Sequence, residues 1–185
     1  MLSILTPPAA EPVSVVEAKR HLRLETSSED AFVERLVTAA RRVVEERTGR
    51  ALVSQTARLT LDRAPERAVT FPRAPLNAVL EVAVLTDASS WTPVSTDLYA
   101  IETGEGARVV ATGFWPRAVQ PVAGVRIDAE VGYGPRGAAP ADLQQAVLLL
   151  VAHFFERREP AIDGRAAVLP HSIEALLASY RRPRL

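Results

Sequence analysis

A chain of 185 residues with 22 basic and 22 acidic side chains and 48% apolar residues can bury about 70% of its unfolded surface, which excludes wholesale disorder and fits one domain or one domain with an insertion. Its formal net charge of zero removes the long-range field that would steer it to nucleic acid or an acidic membrane. The absence of cysteine excludes a disulfide framework, a thiolate nucleophile and a cysteine-held metal, a composition suited to assembly in the cytoplasm.

The first dozen residues, with Pro7, Pro8 and Pro12, read as an extended or mobile lead without the basic start and long apolar core of a signal peptide. Two capped helices are expected next, over residues 15–24 and 29–47. Ser14 and Glu17 have the spacing of a capping box. Ser27 or Ser28 is the expected cap of the second helix, with Glu29 and Asp30 at its positive end. Phe32, Val33, Leu36, Val37, Ala40, Val43 and Val44 recur at helical spacing, and Gly49 supplies a left-handed ending.

From residue 54 onward the pattern changes to period-two alternation broken by turn residues. Strands are expected over 56–62, 68–71, 79–86, 98–101, 108–111 and 122–131. Short strands and tight turns favour an antiparallel sandwich or small barrel over a parallel sheet. After Gly132, Gly134, Pro135 and Gly137, a helix over about 141–158 is opened by Pro140 and Asp142. It is apolar on almost every side. Leu143, Val147, Leu150 and Phe154 form a face for the long N-terminal helix. Leu148, Val151 and Phe155 form an opposite face, to be covered by the β-rich region or by a neighbouring subunit. A linker then leads to a short amphipathic helix over 171–182, with Ser172 as cap and Ile173, Leu176, Leu177 and Tyr180 as stripe. The expected fold class is α+β: two N-terminal helices and one C-terminal apolar helix form a bundle that carries an antiparallel β-rich insertion and ends in a tail. The boundaries are 1–53, 54–134, 135–160 and 161–185. The longest apolar run is far too short to span a bilayer.

No catalytic, cofactor or metal site emerges. Gly132, Gly134 and Gly137 spell a dinucleotide-type turn, but Pro135 lacks the N–H that would meet a phosphate and no βαβ unit surrounds it. His21, His153 and His171 lack metal-ligand spacing, and no nucleophile elbow is present. His21 is expected to pack or pair near the turn between the first two helices. Arg41, Arg42, Arg47 and Arg50 would make a basic stripe, but Glu34, Glu45 and Glu46 interrupt it and no aromatic residues interleave.

The opening VSVVEAKRHLR, the acidic loop, the long helix and the ending TGRAL resemble the N-terminal signature of the head–tail connector (adaptor) proteins of long-tailed phages and phage-like gene transfer agents. Ser14, Glu17, Ala18, Lys19, His21, Leu22, Arg23 and the run Thr48, Gly49, Arg50, Ala51 and Leu52 carry the match. Pro140-Ala141-Asp142-Leu143 and Tyr180-Arg181 agree in layout. The resemblance implies a structural virion protein, not an enzyme, without cofactors. The resemblance implies a closed ring of about twelve copies beneath the portal, and such closure needs two different complementary faces on each copy. Implied partners are the portal protein, further copies of the chain, and a tail stopper or next tail component, with genomic DNA passing through the lumen unbound and no membrane involved. Phe32, Leu36, Val43, Leu148, Val151 and Phe155 are the candidates for subunit interface or core. The candidate portal-binding residues are Leu169, Pro170, Ile173, Leu176, Leu177, Tyr180, Arg181, Arg182 and Leu185; the alternative is that this helix folds back on its own subunit. Trp91, Trp115 and Tyr133 are either contacts for the next tail component or sheet core. Alternatives for the whole chain are a tail terminator or stopper, or a soluble enzyme or small-molecule binder using the β-rich region. The expected location is a virion or phage-like particle assembled in the bacterial cytoplasm.

Overall fold

In the computed structural model, which describes residues 1–157 and 170–181, the chain runs β1 (Leu2–Thr6), α1 (Val15–Leu22), α2 (Asp30–Thr48), β2 (Gln55–Leu61), β3 (Ala68–Thr70), β4 (Leu76–Leu85), β5 (Trp91–Pro93), a 3-10 turn (Thr96–Leu98), β6 (Tyr99–Glu102), β7 (Arg108–Ala111), β8 (Val125–Val131), α3 (Ala141–Arg157) and α4 (His171–Ala178). It divides into a β unit, Met1–Ala9 with Ser54–Tyr133, and a helical unit, Ala10–Val53 with Gly134–Leu185.

In the β unit, five antiparallel strands lie in the order β1-β2-β8-β4-β5, and a separate sheet has the order β3-β7-β6. Alternation puts Gln55, Ala57 and Leu59 of β2 and Val125, Ile127, Ala129 and Val131 of β8 into the core. The other face is laced with ion pairs. Arg58 forks onto Asp128, with Nε to Oδ1 and Nη2 to Oδ2 both 2.6 Å. Arg126 donates to Glu81 at 2.8 Å and lies 4.7 Å from the Trp91 ring centroid. The barrel anticipated as one option does not form: β1 and β5 are opposite edges of an open sheet.

Two strands escape the sequence pattern. The proline-containing lead holds β1, whose pairing to β2 runs from Leu2 opposite Leu59 to Thr6 opposite Thr56. The five residues LSILT have no clean alternation, and their pairing partners lie fifty or more positions away. β5 is three residues long, too short for a period to show.

In the helical unit, the capping box closes as its spacing demands. Glu17 N–H donates to Ser14 Oγ at 3.1 Å and Ser14 N–H to Glu17 Oε2 at 2.7 Å. Arg23 ends α1 in the left-handed region at φ 58°. Neither Ser27 nor Ser28 caps α2. Glu29 occupies that position without a side-chain capping bond, while Lys19, the only lysine, reaches Asp30 at 2.5 Å and holds the start of the helix from outside. Gly49 ends α2 at φ 67°. α4 begins after Pro170 with no bond from Ser172 and stops four residues before the expected end. α3 packs on α1, α2 and α4, with Leu143, Ala146, Val147, Leu150, Val151 and Phe154 buried.

Candidate functional site

The TGRAL ending is built into a buried polar cluster that starts with Arg41. Arg41 is 6% exposed. Nε donates to Glu11 Oε2 at 2.6 Å and Nη1 to Glu45 Oε2 at 2.8 Å. Glu45 Oε1 accepts from the Leu52 N–H at 2.9 Å, and Thr38 Oγ1 donates to Glu11 Oε1 at 2.9 Å. Burial opposes the Arg41 charge, but the hydrogen bond to Glu11 and the field of Glu45 outweigh it and raise the pKa above its ordinary value. Arg41 and Glu45 therefore belong to the core, which removes a central member from the stripe that the interrupting glutamates already argue against.

The candidate interface residues on α2 and α3 differ in burial. Val151 is buried; Phe32, Leu36, Val43, Leu148 and Phe155 are half-buried. The Phe32 and Phe155 rings stand 6.0 Å apart at 45°.

The tail helix lies against the same unit. Ile173 and Leu177 are 2% and 0% exposed, Leu176 and Tyr180 are half-buried, and α4 packs on α2 and α3. Arg50 of the TGRAL motif donates from Nε to the Tyr180 carbonyl at 3.2 Å, and Tyr180 Oη donates to Asp142 Oδ2 at 3.4 Å. Burial first, then Asp142, raises the Tyr180 pKa above its ordinary value. Pro170 is half-buried and Arg181 exposed. The other candidate tail residues, Leu169, Arg182 and Leu185, lie outside the described residues.

The aromatic residues of the β unit divide in a way composition could not show. Trp91 sits under Arg126, and Tyr133 Oη donates to Glu105 Oε1 at 3.1 Å. Trp115 donates from its ring N–H to the Leu98 carbonyl at 3.0 Å and meets Tyr99 edge-on at 6.1 Å. Its neighbour Phe114, not singled out from the sequence, is 99% exposed. Gly132, Gly134 and Gly137 take φ values of 117°, 131° and 82° and serve as the exit from sheet to helix. His21 is exposed rather than packed. Among the described residues no cluster of potential ligands suited to a metal ion occurs, and no helix is long and apolar enough to cross a membrane.

A family model described as head completion protein matches residues 12–183. The chain is similar to a solved chain from the virion of a native gene transfer agent particle, with 30% identity and a TM-score of 0.80 over 100% of this chain and 97% of that one. A chain from the neck of an empty particle, computed with C6 symmetry, gives the same values. A chain from the neck of the native particle, computed with C12 symmetry, gives 31% identity and a TM-score of 0.78 at the same coverage. Comparison with curated proteins by sequence gives no match.

Proposed function

The chain belongs to the head completion protein family, and from that premise we infer how it works: as a structural head–tail adaptor that forms a ring beneath the portal, extends the DNA channel and joins capsid to tail. The observation that carries this reading is full-length similarity to a chain from the neck of a native gene transfer agent particle computed with C12 symmetry. A closed cyclic ring requires two unlike complementary faces on each copy. The half-buried seam of Phe32, Leu36, Val43, Leu148 and Phe155 contributes one of them. The tail terminator or stopper reading is less favoured, because the match is to the neck along the whole chain. The chain acts as a virion component without a catalytic step, and the particle is assembled in the bacterial cytoplasm.

The tail is the portal contact in this reading. Leu169, Pro170, Ile173, Leu176, Leu177, Tyr180 and Leu185 provide apolar anchors, and Arg181 and Arg182 meet portal acids or terminal carbonyls. Ile173 and Leu177, buried on the chain's own helices before assembly, would have to be released or kept as the hinge side of the docked tail. Truncation before Leu169 tests this. The shortened chain should remain folded through α3 but lose co-sedimentation with portal; normal portal binding would remove the tail from the interface. Imaging of purified particles should show a ring of this chain between portal and tail, and its absence would remove the adaptor reading itself.

A further inference from the structure

Two strand edges of the β unit are left open, and their backbones match. Among the described residues the two sheets end on β1, β5, β3 and β6. β3 and β5 are three residues each, and β5 closes on Pro93; shortness and proline are common guards against the addition of a further strand. β1 reads LSILT, with neither charge nor proline, and Ile4 is 44% exposed although its partner Ala57 lies in the core. β6 reads YAIE. Its charge, Glu102, accepts from Arg108 Nε at 2.7 Å within its own sheet, and Ile101 is 41% exposed although its partner Val109 is buried. Each strand thus leaves a core-side apolar residue half in water at an unguarded rim.

The direction of the free backbone groups follows from the bonds already made. The Thr60 N–H donates to the Met1 carbonyl at 2.8 Å, so by alternation Leu2 and Ile4 turn their N–H and carbonyl away from β2. The Ala111 N–H donates to the Arg67 carbonyl, on the β3 side, at 2.6 Å. Tyr99 and Ile101, opposite Ala111 and Val109, therefore turn theirs away from β7. Antiparallel pairing of Leu2 with Ile101 and of Ile4 with Tyr99 lets each pair exchange both of its backbone bonds and sets all four side chains on one face. This register ends where β1 shifts, between Ile4 and Thr6.

The two rims are separate parts of the β unit. Gly104, at the turn from β6 to β7, is bridged to Leu76 of β4, and β4 stands three strands from β1, about 14 Å at ordinary strand spacing. A head-to-tail ring needs two unlike faces that fit each other. Strand addition meets that need, with main-chain bonds giving affinity and alternate side chains giving register.

We propose that β6 of each copy adds antiparallel to β1 of the adjacent copy and carries the larger sheet on from subunit to subunit. This rests on the ring reading above. Both halves of the junction belong to this chain, which points to a second copy rather than to another particle protein.

The test uses the whole chain in cells that assemble complete particles. Ser3 and Ala100 would face each other as the non-hydrogen-bonded pair, with Cα atoms about 4.5 Å apart, within the span of a disulfide. The chain has no cysteine, so S3C and A100C introduce its only thiols. Mild oxidation of particles carrying the double variant should give a ladder of multimers of this chain that reduction removes, and neither single variant should. Multimers from one thiol alone would mean that like edges meet, and linkage to another particle protein would mean a different occupant; either overturns the proposal. So do normal particles of the double variant without a ladder. If the thiol variants fail to assemble, imaging of parent particles decides: β1 and β6 of neighbouring copies should run side by side at about 4.8 Å. A ring in which these strands lie apart overturns this proposal alone; particles with no ring of this chain overturn the adaptor reading.

Discussion

Glu11 and Arg41, thirty residues apart, join the loop before α1 to the middle of α2 through a 2.6 Å bond from Nε to Oε2. Arg41 passes the connection to Glu45, and Glu45 passes it to the backbone of Leu52. One guanidinium therefore holds together the approach to α1, the long helix and the segment that leaves it. Part of the connector-like signature is a buried electrostatic clamp.

Removing Arg41 leaves Glu45 charged and buried and Glu11 charged and half-buried. Replacement of Arg41 by Ala should destabilise the helical unit by about 3–5 kcal/mol. Urea unfolding followed by far-UV circular dichroism would measure it. Replacement by Lys should also be costly, because an ammonium cannot serve Glu11 and Glu45 in the same planar geometry.

The α1 cap should make a pH-dependent contribution. Hydrogen bonds from the Ser14 side chain and backbone hold Glu17 below its ordinary 4.5. A depressed carboxylate contributes fully above 4.5 and loses its contribution as pH falls through the lower folded value. The stability difference between the parent chain and E17Q should therefore be constant near neutrality and shrink in strong acid. A difference independent of pH would show that the carboxylate charge is not what closes the cap.

Leu177 fills the groove between α4 and its supporting helices. L177A should cost about 2–5 kcal/mol in the isolated chain. Amide hydrogen exchange should then rise across α4 first, if the helix detaches before the rest of the unit opens. Unchanged stability would mean that α4 does not rest on its own subunit in solution.

The Phe32–Phe155 pair fastens α2 to α3 and borders the candidate subunit seam. A double-mutant cycle with F32A and F155A should return a coupling of about 0.5–1.5 kcal/mol by thermal unfolding. Zero coupling would show that the two rings act independently.

Much of the helical architecture was legible in the sequence. Ser14 and Glu17 announce their cap, Gly49 its left-handed ending, and the spacing of Val33, Val37, Ala40 and Val44 the buried stripe of α2. The α2 start departs from the sequence expectation because Ser27 and Ser28 are good caps by composition. The Lys19–Asp30 bridge that holds that end depends on where α1 finishes. The strands beginning at Gln55 and Val125 alternate cleanly and were found; β1 and β5, with no alternation to show, were not.

The candidate interfaces divide along the same line. Leu148 and Phe155 stand out because α3 is too apolar to face water, and both are half-buried in the fold. Arg41 looked like part of a cationic stripe, since nothing in the residues around it tells that Glu11 returns to meet it. Phe114 and Trp115 are equivalent as letters in a turn.

The residues alone determined what interactions within a few positions control: helix period, the α1 cap and the α2 stop, strand alternation, and the absence of cysteine chemistry. Tertiary structure decided everything that depends on chain closure over tens of residues: the partner of β1, the burial of Arg41, the resting place of Ile173 and Leu177, and which of two adjacent aromatic residues faces water. The reason is that a side chain carries the same local preference in every context, whereas its burial and its hydrogen-bond partner exist only once distant segments have met. At residues 114 and 115 that meeting is with the Leu98 carbonyl and the Tyr99 ring, which take Trp115 and leave Phe114 outside.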